Sequence, residues 1–276
     1  MPELPEVETI RKTLIPLVSG KTIKDTQLFW PKIIKEPDDK EQFKQLIKGQ
    51  TIQTIDRRGK FLLFYLDDYV LISHLRMEGK YRVEKLGEPV PKHTHVIFTF
   101  KDGYELRYND VRKFGTMHLY PIGTEFDHAP LNKLGPEPFD KSFTTEYLEK
   151  KLKKTERSIK AVLLDQTIVT GLGNIYVDET LFKAGIFPSI KANHLTKNQI
   201  EKIRVAAIET LEEAVKLGGT TIRSYVNGQG EMGMFQQELF VYGQESKACK
   251  HCGNPIVKIK VAGRGTHVCE TCQKKR

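Results

Sequence analysis

The chain has 276 residues, of which 39% are hydrophobic and 29% charged, a composition typical of a folded globular protein with room for two domains. The 44 Lys and Arg against 35 Asp and Glu give a net charge of +9, which favours a polyanionic partner. The longest apolar stretch, FLLFYL at 61–66, is far shorter than the roughly 18 residues of a membrane span, and no signal peptide precedes the acidic start. We therefore expect a cytoplasmic protein.

The first segment, MPELPEVETIRKTLIPLV, predicts an amphipathic helix that begins near Pro5 and ends close to Pro16. Glu3, Glu6 and Glu8 fall in its first turn, where a carboxylate stabilises the helix dipole by about 0.3–1 kcal/mol. That electrostatic role is the simplest interpretation of the three acids.

The same segment allows a catalytic interpretation that starts from Pro2. Removal of Met1 leaves a chain that begins with a secondary amine, and α-amino groups titrate near pH 7.7–8.0. A useful fraction is therefore neutral and nucleophilic at physiological pH, with Glu3 beside it. The segment alone does not decide between the two interpretations.

From about 22 to 120 the sequence is rich in β-branched and aromatic residues and predicts strands. Asp102-Gly103 between two of them is a strong hairpin signal, because glycine tolerates the positive φ that such turns need. We predict a β-sandwich in an N-terminal domain of residues 1–126. Residues 127–142 contain three prolines and are predicted to be a hinge.

Three basic motifs occur in this half: RRGK at 57–60, HLRMEG at 74–79 and RYNDVRKFG at 107–115. Lys60 would begin a strand and by default be solvated. Met77 and Phe114 are residue types that usually lie in a core, although apolar side chains beside basic groups also wedge DNA duplexes open. His93 and His95 are predicted to alternate on a strand as ordinary polar positions, in preference to a metal pair.

Beyond the hinge the period becomes helical, which predicts a helical domain over 143–236. TGLGN at 170–174 lacks the third glycine of a dinucleotide fingerprint, so we expect a tight turn into a helix N-terminus suited to a phosphate. Asn174 could equally be the helix cap. The glycine-rich segment 217–235 is too polar for a core and too long for an ordinary connector, which suggests a lid.

All four cysteines fall in the last segment, 237–276, at the spacing of a four-cysteine zinc site. Between the two pairs, an alternating stretch, a glycine-rich turn and a second stretch predict a β-hairpin with Arg264 at its tip. A basic ribbon can serve solubility alone, but an arginine raised between two glycines is better suited to nucleic-acid contact. The predicted zinc ligands are Cys249, Cys252, Cys269 and Cys272.

Taken together, PELPEVET, RRGK, HLRMEG, DVRKFG, GLGNIYVDE, VYG and AGRGTHVC resemble the bacterial formamidopyrimidine-DNA glycosylases in order and over the whole chain. The resemblance implies an α+β multidomain fold with an N-terminal β-sandwich, a helix-two-turn-helix domain and a C-terminal zinc ribbon. It implies a monomeric DNA glycosylase and abasic-site lyase that acts on oxidised purines in duplex DNA. The 217–235 segment would be its lesion-recognition loop.

The resemblance also assigns roles to individual residues. Pro2 would attack C1′, Glu3 would act as acid and base, Lys60 would serve β-elimination and Arg264 δ-elimination. The implied DNA contacts are His74, Met77, His93, Arg112, Phe114, Asn174, Tyr242 and Lys258. Glu156 departs from the basic residue expected in its segment, so a phosphate contact there is in doubt.

Three other functions are each compatible with part of this sequence. An endonuclease VIII-like glycosylase for oxidised pyrimidines would typically begin PEGPE, whereas this chain begins PELPE after Met1. A zinc-ribbon protein that binds nucleic acid without chemistry would not need Glu3 and Lys60. A metal-dependent nuclease would need a carboxylate cluster, and none is evident in the sequence.

Overall fold

Residues 1–220 and 234–275 are described by a computed structural model, in which they divide into two units. The first unit takes residues 1–132 and Thr220, and the second takes 133–219 and 234–275. Most of the predicted lesion-recognition loop, 221–233, lies outside the described residues. No helix in the described ranges is long and apolar enough to cross a membrane.

The first unit is a β-sandwich of two sheets. Its elements in chain order are α1 (Leu4–Val18), β1 (Ile23–Leu28), β2 (Ile34–Glu36), α2 (Lys40–Ile47), β3 (Thr54–Arg58), β4 (Phe61–Tyr65), β5 (Tyr69–His74), β6 (Lys80–Lys85), β7 (Thr94–Phe100), β8 (Tyr104–Asn109) and β9 (Thr116–Pro121). One sheet has the order β1-β7-β8-β6 and the other β2-β9-β5-β4-β3. Buried side chains from both sheets and from α1 share one core, which confirms the predicted sandwich.

The first helix, α1, forms where the sequence predicts it. Val7, Ile10 and Leu14 are buried along one face, at the spacing of an amphipathic helix. Glu3 occupies the N-cap position, and the Glu6 carboxylate accepts the backbone N–H of Glu3 at 2.8 Å. The acids at the start of the chain therefore make specific helix-capping bonds in addition to complementing the dipole.

The hairpin predicted at Asp102-Gly103 joins β7 to β8, and Gly103 has the positive φ of 86° that such a turn requires. One detail of β7 differs from the prediction. His95 lies on the strand, but His93 precedes it with a φ of 71°, so the two histidines do not alternate on one strand. The backbone turns at His93 because its carbonyl accepts the N–H of Asp110 across the end of the sheet.

The second unit combines helices with the ribbon. Its elements are α3 (Thr145–Leu152), α4 (Ile159–Leu163), α5 (Asn174–Ala184), α6 (Lys197–Lys216), β10 (Val257–Val261) and β11 (Arg264–Val268). Strands β10 and β11 pair as the predicted antiparallel hairpin. The ribbon shares a small core with α5, whose members are Phe182, Val241, Cys249, Ile256 and Cys269.

Candidate active site

Several predicted site residues meet at one end of the sandwich. Phe61 at the start of β4, His74 at the end of β5 and Thr116 at the start of β9 lie side by side in the five-stranded sheet. Lys60 directly precedes this row. The connections from β5 to β6 and from β8 to β9 cross between the sheets at the same end, and they carry the HLRMEG and DVRKFG motifs.

The final glycines of these two motifs allow both loops to close on Tyr108. A Cβ at Gly79 would lie 2.3 Å from the Tyr108 hydroxyl oxygen, and one at Gly115 would lie 1.8 Å from it. Both distances are far inside van der Waals contact, so neither position has room for a side chain. Tyr108 itself is completely buried, and the two loops are therefore held next to each other by the core.

Asp110 shapes the second loop. Its carboxylate accepts the backbone N–H groups of Arg112 at 3.0 Å and of Phe114 and Gly115 at 2.9 Å each. The Arg112 guanidinium carbon lies 4.7 Å from the centre of the Phe114 ring. Phe114 is 51% exposed and Met77, on the neighbouring loop, 39%. The interpretation of these two residues as core is wrong, because the loops turn them outward.

Lys60 and His74 are buried at the same end of the five-stranded sheet. Lys60 is only 5% exposed, so the expectation of a solvated lysine is wrong. It directly precedes β4, whose first four residues are buried. Burial, together with the positive charges of Arg76 and Lys60, lowers the pKa of His74 to about 3. Its Nδ1 accepts the N–H of Arg76 at 2.8 Å, which leaves the ring proton on Nε2 as a donor.

Hydrogen bonds through Arg57 connect helix α1 to the turn that precedes Lys60. Glu8 accepts from the Arg57 Nε at 3.0 Å, and Arg57 Nη1 donates to the Gly59 carbonyl at 3.1 Å. Although burial opposes it, Arg11 and Arg57 hold the pKa of Glu8 below its usual value. Pro2 is buried and Glu3 is 2% exposed. This unit thus contains a buried proline, carboxylate and lysine together with exposed loop residues.

Glu6 has a second partner that sequence reasoning missed. Its carboxylate accepts the backbone N–H of Thr220 at 2.8 Å and the Thr220 hydroxyl at 3.2 Å. The pair is 214 positions apart, so no local pattern could have revealed it. The same carboxylate that caps Glu3 therefore also holds the residue that precedes segment 221–233.

In the second unit, Asn174 lies inside the first turn of α5 and is not the cap, because Gly173 occupies the N-cap position. Its side-chain amide instead donates to the Gly265 carbonyl at 3.0 Å. Arg264 is exposed and begins β11, opposite Val261, so the tip turn is made by the two residues before it. Asn174 and the start of β11, which carries Arg264, are consequently neighbours.

The two remaining predicted contact residues of this unit lie on the ribbon or just before it. The half-buried Tyr242 meets the His267 ring edge-on, with the ring centroids 5.0 Å apart. Lys258 is exposed on β10, 3.7 Å from a carboxylate oxygen of Glu245. Glu156, which departs from the expected pattern, is exposed and forms an ion pair with Lys191 at 2.9 Å.

Adjacent acids on α5 attach the ribbon to the helices. The Glu179 carboxylate accepts backbone N–H groups of residues 240, 241 and 242 at 2.8–2.9 Å. Asp178 accepts the N–H of His267 at 2.9 Å and pairs with Lys160 at 2.6 Å. Sequence reasoning did not single out Glu179, Asp178 or Lys160. The available signal was two adjacent acids in a helix rich in apolar residues.

The four cysteine sulfurs lie within 4.8 Å of one another. Two of the pairs, Cys252 with Cys269 and Cys249 with Cys272, are separated by 3.5 and 3.9 Å. A tetrahedral site with Zn–S bonds of about 2.3 Å places its sulfurs about 3.8 Å apart. The donor set and its spacing fit one structural zinc ion, as predicted.

Comparison with family models accounts for most of the chain. Residues 1–117 match the formamidopyrimidine-DNA glycosylase N-terminal domain. Residues 134–226 match the H2TH domain of the same glycosylase, and residues 246–275 match a zinc finger found in FPG and IleRS.

Whole-chain relatives agree with these matches. The chain is 66% identical over 273 residues to the formamidopyrimidine-DNA glycosylase of Oceanobacillus iheyensis, covering 99% of this chain and 98% of the relative. It is 57% identical to that of Bacillus subtilis over the full length of both. Among solved structures, the Lactococcus lactis Fpg in complex with DNA containing an abasic site superposes with a TM-score of 0.93 at 45% identity, covering 99% of this chain and 100% of that one.

Proposed function

Because the chain belongs to the formamidopyrimidine-DNA glycosylase family, we propose that it is a bifunctional glycosylase and abasic-site lyase of base excision repair. Its substrates would be 8-oxoguanine and formamidopyrimidines in duplex DNA, which it would meet as a monomer in the bacterial cytosol. The observation that carries the proposal is at one end of the sandwich, where Met77 and Phe114 are exposed on loops at the same end of the five-stranded sheet as the buried Lys60. Exposing two large apolar side chains on loops that pack on the core is unfavourable unless Met77 and Phe114 contact a partner.

The loops suit a protein that removes a nucleotide from the stack. A glycosylase must rotate the damaged nucleotide out of the duplex, because its target atom is unreachable inside it. Met77, Arg112 and Phe114 would fill the space left behind. The Arg112 guanidinium is a pure donor, which suits the acceptors on the Watson-Crick edge of an orphaned cytosine.

The chemistry would start at Pro2 once Met1 has been removed. Its nitrogen forms a bond to C1′ as the bond from C1′ to the base breaks, and the opened sugar is held as an iminium cation. Glu3 would protonate the ring oxygen during opening. Loss of a proton from C2′ then expels the 3′ phosphate, a β-elimination in which Lys60 would take part.

A second elimination would remove the sugar altogether. Loss of a further sugar proton expels the 5′ phosphate, which is the δ-elimination assigned to Arg264. Water then releases the sugar fragment from Pro2 and restores the amine. The strand would be left with a one-nucleotide gap bounded by two phosphates.

The remaining residues would hold the DNA backbone. His74 carries a donor proton on Nε2 and stays neutral because of its burial, so it can contact a phosphate without acting as a counterion. The other proposed backbone contacts are His93, Asn174, Tyr242 and Lys258.

We place the domain boundaries at 1–126, 127–142, 143–236 and 237–276, with the lesion-recognition loop at 217–235.

The proposal is tested by borohydride reduction during incubation with DNA that carries an abasic site. Hydride converts an iminium to a stable amine, so we expect a covalent protein-DNA adduct whose peptide map places the link at Pro2. A matched variant whose processing leaves Met1 in place has no free proline amine and should give no adduct.

Two outcomes would contradict the proposal. An adduct that maps to a lysine would assign the chemistry to another amine. The absence of any adduct, from protein that binds the same duplex, would favour a DNA-binding protein without lyase chemistry.

A further inference from the structure

A buried polar cluster lies beneath the tip of the ribbon. Lys160 on α4 is completely buried, and its ammonium contacts Asp178 Oδ1 at 2.6 Å, the Thr266 hydroxyl at 2.8 Å and the Gly265 carbonyl at 3.2 Å. Asp178 and Thr266 are also completely buried. All of these residues belong to the second unit.

The cluster continues to the backbone of Arg264. The Thr266 hydroxyl, which accepts from Lys160, donates its own proton to the Arg264 carbonyl at 3.0 Å. The second oxygen of Asp178 accepts the N–H of His267 at 2.9 Å. Since Asn174 also donates to the Gly265 carbonyl, every residue from 264 to 267 has a polar contact to this cluster or to α5.

Stability alone does not account for this arrangement. Replacing a buried ion pair by well-packed apolar groups is often neutral or stabilising, because two charges lose their hydration on burial. What an ionic cluster provides is directional bonds at defined distances. Here one of those bonds is made to the backbone carbonyl of the exposed Arg264. Without such bonds, Arg264 would be held only by a two-stranded hairpin, an element of marginal stability by itself.

We propose that Thr266, Lys160 and Asp178 are positioning residues that hold Arg264 in register for δ-elimination. This inference rests on the function proposed above, since it assumes that Arg264 acts in the second elimination. The three residues do not touch the DNA themselves. They fix the backbone from which the guanidinium extends, and small displacements of a catalytic group cost much of its rate.

The test compares Thr266→Val with Thr266→Ser on abasic-site DNA under single-turnover conditions. Valine keeps the volume but removes the hydroxyl that bonds to the Arg264 carbonyl, whereas serine keeps it. Gel electrophoresis separates the unsaturated-sugar end left by β-elimination from the phosphate end left by δ-elimination. Thr266→Val removes the hydroxyl's hydrogen bonds to the Arg264 carbonyl and to Lys160. We expect it to leave the β rate within about twofold and to lower the δ rate roughly tenfold, which corresponds to the loss of the one bond that reaches Arg264. Thr266→Ser should match the parent protein.

A double variant separates positioning from general support. Arg264→Gln should reduce δ-elimination by itself, and adding Thr266→Val to it should reduce the rate no further if the threonine acts only through the arginine. Additive losses would overturn the inference. An equal loss of both eliminations in Thr266→Val would also overturn it, since that pattern indicates a merely structural role.

Zinc content measured on each variant shows whether the ribbon remains folded. If Thr266→Val loses its zinc, Asp178→Asn, which keeps size and an acceptor oxygen, replaces it in the same assay with the same expectation. The two proposals fail in different ways. No borohydride adduct in the parent protein would refute the glycosylase, whereas a normal adduct with an unchanged ratio of δ to β ends would refute only the positioning role.

Discussion

Burial decides what the charged residues of the first unit can do. Lys60 and Glu3 are both almost fully buried, while Arg112 and Phe114 project from a loop whose backbone is fixed by one aspartate. The contrast follows from position, because Lys60 directly precedes a buried strand and Glu3 caps a packed helix, whereas turns expose the second pair. Residue type alone predicts the opposite for Lys60 and Phe114.

The effect of burial on the pKa of His74 can be measured through the pH dependence of stability. Its pKa is about 3 in the folded protein and 6.5 in the unfolded chain. Between these values the unfolded state binds the extra proton, so the free energy of unfolding falls as the pH drops below 6.5, by at most about 1.4 kcal/mol per pH unit. His74→Gln, which retains an acceptor for the Arg76 N–H, should lose this part of the pH dependence.

Urea unfolding between pH 4.5 and 7 checks the prediction, with Trp30 as the probe. The chain has one tryptophan, and it lies in the first unit, so its fluorescence reports that unit. His118, whose pKa is lowered to about 4 by burial and by Lys35 and Arg76, contributes equally to both proteins. Identical pH slopes for the two proteins would show that His74 is not held neutral.

At the scale of elements, the ribbon is the part that cannot support itself. Two strands and a small core shared with α5 bury too little apolar surface for independent stability. The metal therefore contributes directly to folding of this element. The loops of the sandwich differ, since Gly79 and Gly115 pack on Tyr108 in the main core.

Replacing Cys249 by Ser should release the zinc ion and disorder the hairpin that carries Arg264, because three thiolates bind zinc much less well than four. We expect less than one zinc per chain by metal analysis and weaker DNA binding, with unfolding of the first unit followed at Trp30 unchanged. Glu270→Gln, exposed beside Cys269, is the matched control and should keep its zinc. Full zinc content in Cys249→Ser would refute the four-cysteine site.

At the scale of the whole molecule, the net charge of +9 implies that much of the DNA affinity comes from release of counterions. Each phosphate contact adds roughly 0.9 to the slope of log affinity against log salt. Lys258→Gln should lower that slope by about one and weaken binding to all duplex sequences alike.

The control is Lys48→Gln, an exposed lysine after α2 outside the proposed contact set. Fluorescence anisotropy with a duplex containing a non-cleavable abasic analogue, at several salt concentrations, gives both slopes. Equal slopes for the two variants would remove Lys258 from the DNA contacts.

The sequence by itself determined most of the elements and the metal site, although helix α2 lies in the segment 22–120 that the sequence predicts as strands. Helical and strand periods, the Asp102-Gly103 turn and the cysteine spacing depend on interactions between residues close together in the chain. The motifs also indicated the family, and the family models agree over most of the chain.

Only the tertiary structure decided which polar groups became buried and which partners they bond to. The bond between Glu6 and Thr220 joins positions 214 apart, and Lys160 reaches Thr266 across 106. Neither end of such a pair carries a local signal, because the partner is brought near only when sheets and helices pack. Desolvation then makes these bonds strong and obligatory, which is why burial assigns roles that residue type and spacing cannot.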